Sequence, residues 1–130
     1  GTNKKLYSSL KRKIKKYKKK IQVFRYVDNI HELMGISDVI ITKPGGVTVA
    51  EVLAKRMPMI IVKPLPGQEA SNANYLTEKG AAIRLDQPQD INLVIEDLFA
   101  NPAHFNQICE SCGRISKPNA SLDVARLLLD

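Results

Sequence analysis

The chain has 130 residues, of which 44% are hydrophobic, and this length suffices for one domain with a buried core. Hydrophobic residues form no run near the roughly 20 that a membrane-spanning helix needs, and the charged start is not followed by the apolar core of a signal peptide. Two cysteines argue against the disulfide framework of a small secreted protein. A cytoplasmic location is therefore expected.

The net charge of +7 is concentrated at the start of the sequence. Residues 1–25 contain eleven Lys or Arg and no acid, whereas the remainder contains nine bases and thirteen acids. Apolar side chains recur there every three or four positions, which predicts a basic amphipathic helix over about residues 4–20. They are Leu6, Leu10, Ile14, Tyr17 and Ile21.

Two explanations of this basic segment stay open. A solvated face is the more common one, because surface helices are often charged. The functional alternative is attraction to an anionic membrane surface. A nucleic acid partner is not expected, because the segment lacks the interleaved aromatic residues of a stacking platform.

The rest of the sequence alternates predicted strands with predicted helices. Strands are expected over residues 21–27, 38–42, 57–62 and 81–85. Helices are expected to end at Met34, to span about 46–56, 69–79 and 91–100, and to begin at Asn101 or Pro102 and at Asn119 or Ser121. Such alternation predicts an α/β fold with a Rossmann-like parallel sheet in a single domain, and ligands of such sheets bind outside the carboxyl ends of the strands.

A Pro-Gly-Gly corner joins the second predicted strand to its helix. Adjacent glycines let the backbone turn sharply and expose its N–H groups, and the helix directs unpaired donors at the same point, so Gly45 and Gly46 predict a phosphate site. Thr48 could donate to a phosphate oxygen, whereas the acceptor Glu51 suits the vicinal hydroxyls of a ribose. A simple helix cap and a first-turn acid explain the same two residues equally well.

A second polar group follows the loop after the third predicted strand. Gln68, Glu69 and Asn72 offer amide and carboxylate groups for sugar hydroxyls, although polar residues are also common at helix starts. Cys109 and Cys112 have C-x-x-C spacing, but zinc would need a second ligand pair, so packing is expected. The sequence predicts no metal site, catalytic triad, NTPase loop or dinucleotide fingerprint.

Taken together, these motifs resemble the carboxyl-terminal domain of nucleotide-sugar glycosyltransferases of the B fold. The likeness covers about residues 20–130 and rests on Ser37–Glu51, Pro58, Pro66–Glu69 with Asn72, and Gly80–Ala82. Within these enzymes, the motifs are most similar to those of monogalactosyldiacylglycerol synthases and processive diacylglycerol glucosyltransferases. They are more distantly similar to the peptidoglycan enzyme that adds N-acetylglucosamine to lipid I.

The resemblance implies a role for the corner in binding a UDP-sugar donor. The diphosphate would be bound by Gly45, Gly46 and Thr48, and the ribose by Glu51. No catalytic residue and no metal ligand is implied within this chain. No cofactor is implied either, since the UDP-sugar is a substrate.

The same resemblance assigns the two ends of the donor. The sugar would be contacted by Gln68 and Glu69, with Asn72 supporting their loop. The uracil would lie against Tyr26 and Val27, at the end of the first predicted strand.

The implied activity is transfer of a hexose from a UDP-sugar to a lipid hydroxyl. The residues at 44–46 and 67–69 resemble the glycerolipid enzymes more closely, which favours diacylglycerol as the acceptor. An amino-terminal domain, absent from this sequence, would bind the acceptor and supply the base. The chain is therefore expected to be an incomplete, inactive domain, peripheral at the membrane, whose exposed sheet edges favour self-association.

Several alternatives stay open at this point. An enzyme of the lipid I type is one, and a non-catalytic module that binds a nucleotide sugar or phosphate is another. The basic helix alone would suit a membrane-surface adaptor. A sugar-nucleotide epimerase shares the two-domain fold but needs catalytic carboxylates beyond Glu51.

Overall fold

The structure is a computed structural model that describes residues 1–85 and 87–129. Internal contacts divide the chain into two compact units, residues 1–33 and the residues from 34 onward. In the described part, no helix combines the length and the apolar character needed to cross a membrane.

The first unit contains helix α1, Lys4–Ile14. The side chain of Asn3 caps its start by accepting from the N–H of Leu6 at 2.9 Å. The helix ends at Ile14, so the predicted end near residue 20 is wrong. Residues 15–20 include five lysines and no acid, and like charges three or four positions apart repel one another on a helix.

The strand predicted over residues 21–27 is also wrong. The segment is irregular and pairs with no strand in the described part of the chain. Its β-branched and aromatic residues favour a strand, but that preference depends on neighbours that complete the ladder. The amino group of Gly1 contacts the carbonyl of Arg25 instead.

The remaining elements alternate strands with helices. The strands are β1 (Ile40–Thr42), β2 (Met59–Val62) and β3 (Ala82–Leu85). The helices are α2 (Ile30–Gly35), α3 (Gly46–Ala54), α4 (Gln68–Glu78), α5 (Ile91–Ala100), α6 (Pro102–Ile115) and α7 (Ala120–Leu129), with a 3₁₀ turn at Pro88–Asp90.

The sheet is parallel with strand order β1-β2-β3, which confirms the predicted α/β class. Thr42 pairs with Ile61, and Val62 pairs with Leu85. Each strand begins one or two residues later than predicted, because the ladder includes only residues with a partner on the neighbouring strand.

The core surrounds the central strand β2. Met59, Ile60 and Ile61 are almost completely buried, as their unbroken apolar run predicts for a strand covered on both faces. Helices α3 to α6 supply further core side chains. These include Val52, Leu53, Ala73, Leu76, Leu98, Ile108 and Cys112.

Candidate functional site

Two loops leave the sheet at the carboxyl ends of neighbouring strands. Residues 43–45 connect β1 to α3, and residues 63–67 connect β2 to α4. Because β1 and β2 are parallel and adjacent, both loops lie at the same edge of the sheet. This is the edge at which open α/β sheets bind ligands.

The corner after β1 presents unpaired backbone donors. Gly45 is the N-cap of α3, its carbonyl accepts from Val49 at 2.9 Å, and its own N–H donates to the Lys43 carbonyl at 3.0 Å. The N–H groups of Gly46, Val47 and Thr48 have no acceptor within the described residues. Three free donors at the positive end of a helix dipole form a site suited to an anion.

The positions of Thr48 and Glu51 argue against their purely structural explanations. The N-cap is Gly45, and no side chain caps α3, so Thr48 is not a cap. Glu51 is the sixth residue of α3, beyond the first turn, which contains no acid. Both side chains are half-buried and have no polar partner in the described part of the chain.

The loop after β2 is organised around Glu69. Its Oε2 accepts from the N–H of Leu65 at 2.7 Å and lies 4.0 Å from Nζ of Lys43. Gly67, which precedes α4, has φ +94° and ψ −131°, a conformation that favours glycine. Glu69, in the first turn of α4, thus stabilises the loop that precedes the helix and faces the corner after β1.

Two side chains of α4 reach that corner. Nδ2 of Asn72 donates to the Pro44 carbonyl at 2.9 Å. A Cβ placed on Gly46 would lie 3.6 Å from Nε2 of Gln68. The structure therefore brings the Pro-Gly-Gly corner together with Gln68, Glu69 and Asn72, and Asn72 contacts the corner itself.

Sequence reasoning assigned no role to Lys43, which pairs with Glu69 across the two loops. One signal was available, because Lys43 directly follows the last residue of β1 and precedes the glycine corner. A cation at that place balances a carboxylate in the first turn of α4.

Tyr26 and Val27 belong to the first unit, in the segment that is not a strand. The Tyr26 side chain is 74% exposed and Val27 is half-buried. Their assignment to the uracil stays a prediction.

Cys112 has the predicted packing role. Its thiol is buried and lies 3.3 Å from the Ala81 carbonyl and 3.7 Å from that of Met57. Burial, with a smaller contribution from Cys109, raises the pKa of Cys112 to about 11, and burial also raises the pKa of Cys109. Among the described residues, no group of three His, Cys, Asp or Glu could hold a metal ion.

The parallel sheet, with a corner of free N–H groups at its carboxyl edge, defines a Rossmann-like α/β domain. The family described as the glycosyltransferase family 28 C-terminal domain matches residues 2–116. The chain belongs to this family, as its motifs predicted.

Individual relatives agree with this assignment. The chain is 36% identical over 110 residues to a processive diacylglycerol beta-glucosyltransferase of Bacillus cytotoxicus. The aligned residues cover 85% of this chain and 28% of the relative. The protein of the same name from Bacillus licheniformis is 35% identical over 121 residues, or 93% of this chain and 32% of the relative. The chain thus spans about a third or less of the length of these relatives.

A solved structure supports the fold. The crystal structure of MurG from Acinetobacter baumannii superposes with a TM-score of 0.69 at 26% identity, covering 82% of this chain and 32% of that protein. This confirms the predicted likeness to the carboxyl-terminal domain of a B-fold glycosyltransferase.

Proposed function

We propose that this chain is the donor-binding part of a glycosyltransferase that moves a hexose from a UDP-sugar to a lipid, with diacylglycerol as the acceptor. The observation that carries this proposal is the set of free N–H groups of Gly46, Val47 and Thr48, which lies beside the amide of Gln68. The names of the two Bacillus relatives support the acceptor.

The corner would act on the leaving group. In the transfer, the acceptor oxygen forms a bond to the anomeric carbon, and UDP departs with the electrons of the broken bond. Negative charge therefore grows on the diphosphate in the transition state, where the N–H groups of Gly46 and Thr48 and the α3 dipole stabilise it. The base that takes the acceptor proton is proposed to lie outside this chain.

The neighbouring side chains would bind the ribose, the sugar and the uracil of the donor. Glu51, half-buried and without a polar partner in the described residues, would accept from the ribose hydroxyls. The two contacts of Glu69 both involve Oε2, which leaves Oε1 for a sugar hydroxyl. Gln68 would supply amide groups to the same sugar, and Tyr26 and Val27 would bind the uracil.

Substitutions at the corner test the donor-binding proposal. We expect Glu51→Ala to raise the dissociation constant for UDP-glucose at least about tenfold, because hydrogen bonds to a charged group are among the stronger ones. Gly46→Val should abolish UDP binding, because its branches would occupy the space in front of the free N–H groups. Isothermal titration of the whole chain with UDP and UDP-glucose measures both effects.

Glu96→Ala is the matched control, because Glu96 is exposed on α5, away from the two loops. It should leave donor binding unchanged. Unaltered UDP-glucose binding in Glu51→Ala, or retained UDP binding in Gly46→Val, would contradict the proposal.

The second candidate is transfer of N-acetylglucosamine to lipid I, which the more distant motif resemblance implied. The same titration with UDP-N-acetylglucosamine separates the two donors. Tighter binding of UDP-N-acetylglucosamine than of UDP-glucose would favour this candidate.

We also propose that the basic segment, residues 1–25, binds an anionic membrane surface. Helix α1 buries no residue, and the segment exposes several apolar side chains among its lysines. The exposed apolar residues are Leu6, Leu10, Tyr17, Ile21 and Phe24.

Pairing of exposed strand edges with a second copy of the chain is proposed as well, since β1 and β3 each have one strand partner in the described part.

A further inference from the structure

We propose that Asn72 is a positioning residue for the donor diphosphate. Its amide would hold the peptide between Pro44 and Gly45 in the orientation that presents the free N–H groups of α3. This inference rests on the proposed function, but it assigns Asn72 to the diphosphate corner, whereas the motif resemblance assigned it to the donor-sugar loop.

The Pro44–Gly45 peptide is held at both ends. Its carbonyl oxygen accepts from Nδ2 of Asn72 at 2.9 Å, and its N–H donates to the carbonyl of Lys43 at 3.0 Å. The peptide is trans, so these two groups point in opposite directions, and the two hydrogen bonds together define its plane.

This restraint complements the proline. The ring of Pro44 limits φ of that residue but leaves ψ, which sets the direction of the Pro44 carbonyl, to other forces. Gly45 and Gly46 follow and lack a Cβ that would limit their backbone angles. The hydrogen bond from Asn72 therefore restrains the backbone at the point where the residue types of the corner restrict its dihedral angles least.

The position of Asn72 on α4 supports the assignment. Gln68 and Asn72 are four residues apart, so they lie on the same face of the helix, and Gln68 approaches Gly46 while Asn72 holds Pro44. The bond spans 28 residues of sequence and is partly shielded from water. A preorganised corner loses less freedom when the diphosphate binds, which strengthens binding.

Replacement of Asn72 by leucine, which is similar in size and cannot donate, tests the proposal. We expect Asn72→Leu to weaken binding of UDP and of UDP-glucose by the same factor, about three- to tenfold, and to change uridine binding by less than about twofold. Asn74→Leu is the control, because Asn74 lies on the same helix, is exposed, and its side chain accepts a hydrogen bond from Arg84 instead. Asn72→Asp, which keeps the shape and as a carboxylate cannot donate, serves as the second variant in the exchange measurement without ligand, where it should also accelerate exchange at Gly45; it is not used for binding, because its negative charge would itself repel the diphosphate.

A measurement without ligand separates this inference from the proposed function. Amide hydrogen exchange at Gly45 should be faster in Asn72→Leu than in the wild type or in Asn74→Leu. Unchanged exchange at Gly45 would overturn the inference whether or not the chain binds UDP. A wild-type chain that binds neither UDP nor UDP-glucose would instead overturn the proposed function.

A comparison of the losses of UDP, UDP-glucose and uridine binding in Asn72→Leu decides which role Asn72 has. A loss confined to UDP-glucose would show that Asn72 binds the sugar, and an equal loss of uridine would show general damage to the fold. Either result would overturn the inference.

Discussion

Cys112 lies in the core at the amino-terminal end of the sheet region. Its thiol contacts the carbonyl oxygens of Met57, which precedes β2, and of Ala81, which precedes β3. These contacts bind α6 to the start of two strands. A thiol in such surroundings stays protonated, because burial disfavours the thiolate.

The raised pKa predicts slow reaction with alkylating reagents. With a pKa of about 11, roughly one Cys112 thiol in a thousand is a thiolate at pH 8, so Cys112 should react far more slowly than in the unfolded chain. Iodoacetamide labelling at pH 7 to 10, resolved by peptide mass spectrometry, measures this, with the urea-unfolded chain as the control. Rapid native labelling of Cys112 at pH 8 would contradict the expectation.

The same shift has a consequence for stability. The folded state favours the neutral thiol of Cys112, and this preference adds to the free energy of unfolding. The added stability is present in full below the ordinary pKa of 9.0 and is lost as the pH rises toward about 11.

Strand β1 shows how an element can be predicted correctly in type and still depend on its surroundings. It has three residues and pairs with β2 alone in the described part of the chain. Its middle residue, Ile41, is 43% exposed. An edge strand with an exposed apolar side chain offers unpaired backbone groups to another strand.

A charge on this strand should reduce self-association. We expect the wild-type chain to form dimers or larger species as its concentration rises, and Ile41→Lys to shift the distribution toward the monomer, because lysine on an edge disfavours strand pairing. Sedimentation velocity over a range of concentrations measures the distribution.

Leu93→Lys is the control, because Leu93 is 67% exposed but lies on helix α5. It should change association less than Ile41→Lys does. A wild-type chain that stays monomeric at every concentration would contradict the proposed edge pairing.

Across the whole molecule, charge is distributed unevenly along the chain. The first 25 residues contain eleven bases and no acid, whereas the rest of the chain has more acids than bases. An anionic surface would therefore attract the first segment and weakly repel the remainder. The effect should weaken as salt is added, since the charges are exposed.

Vesicle binding tests this charge division. We expect the chain to cosediment with phosphatidylglycerol vesicles and not with phosphatidylcholine vesicles. Replacement of four lysines by glutamine should lower the partition coefficient by a hundredfold or more, because each lysine near an anionic surface contributes about 1 kcal/mol. The four are Lys15, Lys16, Lys18 and Lys19.

The matched control removes four bases from the other unit, namely Lys55, Lys79, Lys117 and Arg126. This variant has the same net charge as the first but should bind as the wild type does. Equal losses in both variants would show that net charge alone, and not the basic segment, determines binding.

Sequence patterns predicted most elements because those elements depend on local features. The apolar run of β2 indicated a buried strand, and Asn101, whose side chain accepts from the N–H of His104 at 3.2 Å, marked the start of α6. Residues 15–20 and 21–27 were predicted wrongly, because lysine repulsion shortens the helix and no neighbouring strand completes a ladder in the described part.

The sequence by itself determined the parallel α/β class, the glycine corner at the start of α3 and the family, since these follow from periodicity, glycine placement and ordered motifs. Only the tertiary structure decided which groups of the loop after β1 and of α4 meet. The bond from Asn72 to Pro44 and the approach of Lys43 to Glu69 join residues about 26 to 28 positions apart. Such contacts arise because parallel pairing of β1 with β2 places both loops at one edge of the sheet, and no local pattern specifies which side chains then come within reach.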